Sequence, residues 1–292
     1  MEMDVFGRCV EDPEAFLRRN WAHAPVVQRP VDPPTDLLTP AEFERILGSG
    51  LLRVPYLDLV TQHGSVDPAR YCPPRIVLHR PEHGYADADA VRRLIRDEHV
   101  TVLLRNLEQW HAPVGAFCAQ LGRRLGRQVE AFSFVTPPGT QGRPIHRDDA
   151  DVFVVQIAGV KRWQVHDGPA DGHWEPGLVP EPGPVRMDAT LEPGQVLYVP
   201  RGHAHQATAA GRHPSVHLSL TVRDSGAAHL FATLHALLAD DLVLPARPIT
   251  PHDLLPTADH LLRHYRQRLE DLTGRRLIAA TRTAMRAPAP QP

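Results

Sequence analysis

Lysine is almost missing from this chain. Of its 32 basic residues 31 are arginine, and the one ammonium is Lys161. Arginine presents a planar fork and lysine a compact point charge on a flexible stem, so the exception marks its position. Cysteine is equally scarce. Cys9, Cys72 and Cys118 are odd in number and widely spaced, which excludes a disulfide framework or a zinc ribbon and predicts reduced thiols. Long blocks of one charge sign are absent too: 32 basic residues stand against 34 acidic ones, for a net charge of −2. That balance excludes the basic footprint of a nucleic-acid binder, and no DNA or RNA partner is expected. No apolar run reaches membrane-span length, and residues 1–10 carry Glu2 and Asp4 but no apolar core of signal-peptide length. A protein off the membrane and in the cytoplasm is expected.

What the chain does have is enough apolar residues for a core, 42% of 292, and 30 Pro and 20 Gly to turn corners. Residues 1–50 read as a helical docking segment. Asp12 caps a helix with Pro13 at its first position, and Thr39 with Glu42 three residues on opens a second that ends at Gly48. Residues 51–222 read as the main body. Strand patterns run over 52–60, 75–78 and 100–104, with helices over 88–96 and 114–125, the latter closed by Gly126. Strands with short turns follow over 129–136, 152–157, 161–165, 185–189, 196–199 and 215–222. This spacing predicts a mainly β protein, an antiparallel sandwich or barrel with flanking helices. Residues 223–292 read as a helical appendage: a helix over 227–238, a linker over 245–256, one long or broken helix over 257–285 and a frayed tail over 287–292. Leu261, Leu262, Tyr265, Leu269 and Leu272 share one stripe that could face the barrel or a second copy, making a homodimer.

The chemistry concentrates in Pro144-Ile-His-Arg-Asp-Asp149 and Pro200-Arg-Gly-His-Ala-His205. Along a strand His146 and Asp148 project from the same face. A histidine from the second segment would complete the two-His, one-carboxylate arrangement that leaves positions open on non-haem Fe(II). His203 and His205 both qualify. A structural hydrogen-bonded pair is the other reading of His146 and Asp148. Trp163 reads as barrel core, and Asp149 and Asp151 as rim or supporting residues.

Thr136-Pro-Pro-Gly-Thr-Gln-Gly, His146-Arg-Asp148-Asp149, Gly159-Val-Lys161-Arg-Trp163, Leu191-Glu-Pro-Gly194, Tyr198-Val-Pro-Arg-Gly-x-x-His205 and His217-Leu-Ser-Leu-Thr221 together resemble the JmjC or cupin-4 hydroxylases, in particular the ribosomal oxygenases. The resemblance is close over residues 129–222. It implies a double-stranded β-helix (cupin, jelly-roll) barrel and a dioxygenase that uses Fe(II), 2-oxoglutarate and O2. It places the metal ligands at His146, Asp148 and His205 and the anchor for the far carboxylate of 2-oxoglutarate at Lys161. Thr221 and His217 match positions near the cosubstrate. The implied reaction is hydroxylation of a C–H bond, with a His, Arg, Asp or Asn side chain of a protein or peptide as the expected acceptor. A small-molecule or free amino-acid hydroxylase and a non-catalytic metal-binding cupin are the alternatives.

The chain departs from that family at Phe132 and Phe134, where Asn and Tyr are usual, at Arg147 between the ligands, and at Arg143, where an apolar residue is usual. Arg143 and Arg147 are substrate candidates for an anionic acceptor, with an exposed ion pair as the plainer role for each. The 70 residues after Val222 are too few for both a full helical dimerisation module and a winged-helix domain.

Overall fold

The computed structural model describes residues 4–171, 173–244 and 250–286, which form two compact units. The first holds the described residues up to Leu125 together with Val129–Arg223, and the second holds Gly126–Gln128 and the described residues from Asp224 onward.

The first unit opens with α1 (Pro13–Arg19), whose N-terminus is capped by Asp12 accepting from the Ala15 N–H at 2.9 Å. Next come β1 (Val26–Gln28) and α2 (Pro40–Gly48), then β2 (Leu57–Thr61), β3 (Gly64–Ser65) and an exposed hairpin of β4 (Arg75–Val77) and β5 (Arg80–Glu82). α3 (Ala88–Glu98), β6 (Thr101–Leu104), α4 (Leu107–Trp110) and α5 (Ala112–Leu125) lead into the strand-rich half. That half contains β7 (Gln128–Thr136), β8 (His146–Arg147), β9 (Asp151–Ala158), β10 (Lys161–His166), β11 (Gly177–Leu178), β12 (Val185–Leu191), β13 (Val196–Val199), β14 (His205–Ala209) and β15 (Ser215–Arg223).

Two sheets result, one of eight strands in the order β1-β13-β9-β15-β7-β6-β2-β3 and one of five in the order β11-β8-β14-β10-β12. Alternation along the strands assigns each face. On β15, Val216, Leu218, Leu220 and Val222 pack into the main core with the N-terminal segment and the flanking helices, while His217, Ser219 and Thr221 face the other way. On β9, Phe153, Val155 and Ile157 join that same core. Val152 and Val154 turn inward against Trp163 and Val165 of the smaller sheet. The first unit is therefore a double-stranded β-helix: a two-sheet barrel whose larger sheet is covered outside by apolar packing and whose interior holds a short apolar plug and a cavity.

Residues 26–28 are a strand of the main sheet rather than only part of a docked segment, since Val26 pairs with Tyr198 and Gln28 with Val196. Trp21 stacks on Tyr198 with centroids 5.8 Å apart, and the Tyr198 hydroxyl donates to Asp151 at 2.5 Å and accepts from the Ala22 N–H at 2.8 Å. Asp151 is thus a buried brace and not a rim residue; Asp149 pairs with Arg201. Cys9, Cys72 and Cys118 are free and buried.

The second unit contains α6 (Ala227–Ala239), α7 (Pro251–Glu270) and α8 (Gly274–Arg286), with α6 packed against the other two. Arg268 of α7 reaches Asp241 at 2.9 Å and the Asp240 carbonyl at 3.0 Å, and Arg282 of α8 holds Asp224 through two contacts of 3.1 Å. Residues 251–256 are helical, not linker: Pro251 sits in the first turn, where its missing N–H costs nothing. The expected long helix breaks between Glu270 and Gly274, and residues 287–292 and 245–249 lie outside the described residues. Among the described residues no helix is long and apolar enough to cross a membrane.

Candidate metal and cosubstrate site

A cavity of about 200 Å³ lies between the two sheets. Its walls come from alternate residues of β7, β9 and β15 on one side and from β8, β10 and β14 on the other, which is how residues far apart in sequence come to face one point.

β8 and β14 run antiparallel with His146 directly opposite His205, and their rings stand 4.5 Å apart. The chain turns after β8 so that Asp148 follows them into the same space: its carboxylate oxygens lie 3.9 Å from His146 Nε2 and 3.5 Å from His205 Nε2. These are the residues among those described whose ligand atoms converge, all within 4.8 Å of one another. Neighbouring ligands at about 2.1 Å from one ion lie about 3 Å apart, so the three side chains are gathered around one point and an ion would draw them somewhat closer.

The protonation states fit as well. Nδ1 of His146 lies 2.8 Å from the Pro144 carbonyl oxygen and Nδ1 of His205 lies 3.0 Å from that of His203. Each Nδ1–H donates to its carbonyl, which leaves the Nε2 lone pairs aimed inward, the tautomer a metal needs. Burial, with His205 and Arg143 nearby, pushes the His146 pKa down to about 3, so the ring is neutral. Burial works to raise the Asp148 pKa, but the imidazoles and the guanidiniums of Arg143 and Arg223 outweigh it and keep the carboxyl below its ordinary value. Two imidazoles and a carboxylate make a facial donor set with open positions. His203 is not in it: its Nδ1 bonds the His166 carbonyl at 2.8 Å, and what it offers the site is its own carbonyl oxygen.

At the other end of the cavity sits Lys161, 2% exposed. Nζ donates to Thr136 Oγ1 at 2.9 Å and lies 3.4 Å from His217 Nδ1, and no carboxylate pairs with it among the described residues. Burial alone pushes its pKa from the ordinary 10.5 down to about 7. His217 is kept neutral by burial and by Lys161, and it stacks on Phe134 at 4.8 Å with Trp163 edge-on at 5.3 Å. A Cβ on Gly142 would come within 3.7 Å of Nζ, so the glycine leaves room beside the amine. Thr221 also lines the cavity.

Sequence reasoning missed Thr136, Gly142, Ser219, Arg105 and Arg223, all of which line the cavity or its lysine. Thr136 could have been found, because it opens the Thr-Pro-Pro-Gly motif. Arg143 is in the cavity wall, whereas Arg147 pairs opposite Gly177 and is not among the lining residues.

Barrel and donor set together define the cupin-fold metalloproteins that bind an ion at two histidines and a carboxylate. Residues 111–230 match the JmjC domain. Over those residues the chain resembles the proteins of the JmjC family. It is similar to ribosomal oxygenase 1 of Gallus gallus, 29% identical over 222 residues that cover 72% of this chain and 34% of that protein. It is also similar to the bifunctional lysine-specific demethylase and histidyl-hydroxylase NO66 of Drosophila grimshawi, 32% identical over 176 residues, 57% of this chain and 22% of that protein. The chain therefore spans about a third or less of these curated relatives. Among solved structures it resembles YcfD, a ribosomal oxygenase from Escherichia coli in complex with cobalt and 2-oxoglutarate, with a TM-score of 0.53 and 20% identity over 88% of this chain and 69% of that one, which supports the fold.

Proposed function

We propose that the protein is an Fe(II)- and 2-oxoglutarate-dependent oxygenase that hydroxylates a C–H bond of an amino-acid side chain in a protein or peptide. The observation that carries this reading is Lys161, a fully buried amine without a carboxylate partner in the same cavity as the His146, Asp148 and His205 donor set. An unpaired charge in such a place is costly, and a dicarboxylate long enough to reach from the metal end supplies the missing partner. Bound there, the metal and 2-oxoglutarate together activate O2, one oxygen atom entering succinate as CO2 leaves and the other entering the substrate.

The remaining work belongs to the chain. His146, Asp148 and His205 would hold the ion. Lys161, supported by Thr136, takes the far carboxylate through a charge-assisted hydrogen bond. Phe134, Trp163, Val152 and Val154 keep the space between dry and shaped. The protein acceptor class is supported by the relatives' names, which describe a histidyl-hydroxylase and ribosomal oxygenases.

We assign residues 51–222 to the catalytic barrel, with 1–50 packed on it and adding β1 to the edge of its larger sheet, and 223–292 to self-association as a homodimer. In that helical unit Phe231 is 74%, Leu255 69% and Leu262 50% exposed, an apolar surface that a second copy could cover. Free buried thiols support a reducing compartment, the cytoplasm.

The test is mass spectrometry of peptides incubated with the protein, Fe(II), 2-oxoglutarate and isotopically labelled O2. A product heavier by one labelled oxygen supports the reading; labelled succinate with no peptide product supports a different acceptor; no label in either contradicts it.

A further inference from the structure

The cavity has a third feature that the metal and the cosubstrate leave unused. Three arginines line it, Arg105 from the turn after β6, Arg143 from the loop between β7 and β8, and Arg223 at the end of β15. Two are already neutralised: Arg105 pairs with Asp58 at 2.7 Å and Arg223 with Glu130 at 2.8 Å. Arg143 is not. Its guanidinium makes no hydrogen bond or ion pair among the described residues, although the side chain is only partly exposed. It lies near enough to Asp148 for each charge to shift the other's ionisation, yet makes no ion pair with it. The Asp148 carboxylate instead faces His146 and His205.

Resting on the oxygenase reading above, we propose that Arg143 is a specificity-determining residue that receives a carboxylate of the acceptor, so that the hydroxylated C–H bond belongs to an acidic amino acid. A planar guanidinium takes a carboxylate through two parallel hydrogen bonds, a geometry that neither a neutral amide nor a cation reproduces. The other two guanidiniums are held by carboxylates of their own, so Arg143 is the one of the three left to meet an anion. An arginine or lysine acceptor would set a like charge beside Arg143 and is disfavoured. The cosubstrate does not compete for Arg143, since its far carboxylate is assigned to Lys161 and its other end to the metal. Burial lowers the Arg143 pKa without removing the charge, which fits a guanidinium that gains from an anionic partner.

The carboxylate could belong to an aspartyl or glutamyl side chain in a peptide or to a free amino acid, and the probes separate these. The full chain, loaded with Mn(II) and 2-oxoglutarate without O2, is titrated with acetyl-aspartyl-methylamide, the asparaginyl isostere, the arginyl analogue and free aspartate. Proton relaxation of each probe by Mn(II) reports its approach to the metal. The aspartyl probe is expected to bind about tenfold more tightly than the asparaginyl one, and Arg143→Gln to remove that preference while 2-oxoglutarate affinity stays unchanged. Arg143→Lys, which keeps charge without the fork, should retain part of it. Tighter binding of free aspartate assigns the carboxylate to a free acid; tighter binding of the capped form assigns it to a peptide.

Equal binding of the aspartyl and asparaginyl probes, preference for the arginyl probe, or loss of 2-oxoglutarate affinity in Arg143→Gln overturns the proposal. Saturation-transfer titrations of the metal-free protein keep it separate from its parent reading. A carboxylate preference that depends on Arg143 there, in a protein that takes up neither Mn(II) nor 2-oxoglutarate, would sink the oxygenase reading and leave the carboxylate site standing.

Discussion

Nδ1 of His205 donates to the carbonyl oxygen of His203 at 3.0 Å, so the two histidines that compete for one metal position in the sequence divide the work between them. One turns its Nε2 toward His146 and Asp148, where it would meet an ion, and the other fixes that ring's tautomer through its backbone. Replacing His203 by Ala keeps the carbonyl and should change metal affinity only a few-fold. His205→Ala removes a ligand and should cost about a hundredfold or more, beyond the 10- to 100-fold typical of lost supporting contacts. Titration with Mn(II) or Fe(II) checks both.

Lys161 gives a pH dependence with a definite sign. Its folded pKa of about 7 lies below the ordinary 10.5, so between those values the unfolded chain binds a proton that the folded chain does not. Stability without ligand therefore rises with pH from about 7 to 10.5 and is flat below that window. Lys161→Met should remove this slope and be the more stable protein at pH 7, by on the order of 4 kcal/mol at most, since each pKa unit is worth about 1.4 kcal/mol. Urea melts at several pH values measure it.

The same residue should make cosubstrate binding take up protons. Above pH 7 the amine is neutral in the empty cavity and charged once a carboxylate is beside it, so 2-oxoglutarate affinity should fall as pH rises. Calorimetry at pH 8 in buffers of different ionisation heats should show net proton uptake in wild type and none in Lys161→Met.

Thr136→Val preserves the shape and branching of a strand residue while removing the oxygen that accepts from Lys161. A 2-oxoglutarate affinity about fivefold weaker is expected, the worth of one hydrogen bond. Unchanged Mn(II) affinity would separate this end of the cavity from the metal end.

The helical unit should respond independently. α7 contains no buried residue, and Leu255 and Leu262 lie on its exposed surface. The double substitution Leu255→Glu and Leu262→Glu should shift the molar mass measured by light scattering from dimer to monomer and leave metal affinity unchanged.

Much of this was legible in the sequence where periodicity had room to speak. The strand over 196–199 has the expected bounds, and those of β7, β9, β10 and β15 differ by one residue or so, because each alternates or runs apolar over several positions. β8 and β11 have two residues each, too few for any period, and β14 carries the polar run His205-Gln-Ala-Thr. β1 is a strand only because Tyr198 and its neighbours lie opposite, a partnership across some 170 residues that local pattern cannot carry. Pro251 and Pro256 resembled a linker, yet one occupies a first turn and the other is accommodated inside the helix. In the site, motif residues were visible by type and spacing. Arg105 and Arg223 were not, because ordinary arginines next to ordinary carboxylates become cavity walls only after the sheets close.

The most direct measurement is succinate formed from 2-oxoglutarate by purified protein with Fe(II) and O2, compared with Asp148→Ala. Succinate production by wild type that falls to background in the variant is the predicted result. Production at equal rates in both, or in neither although Fe(II) and 2-oxoglutarate bind to the wild type, would contradict it.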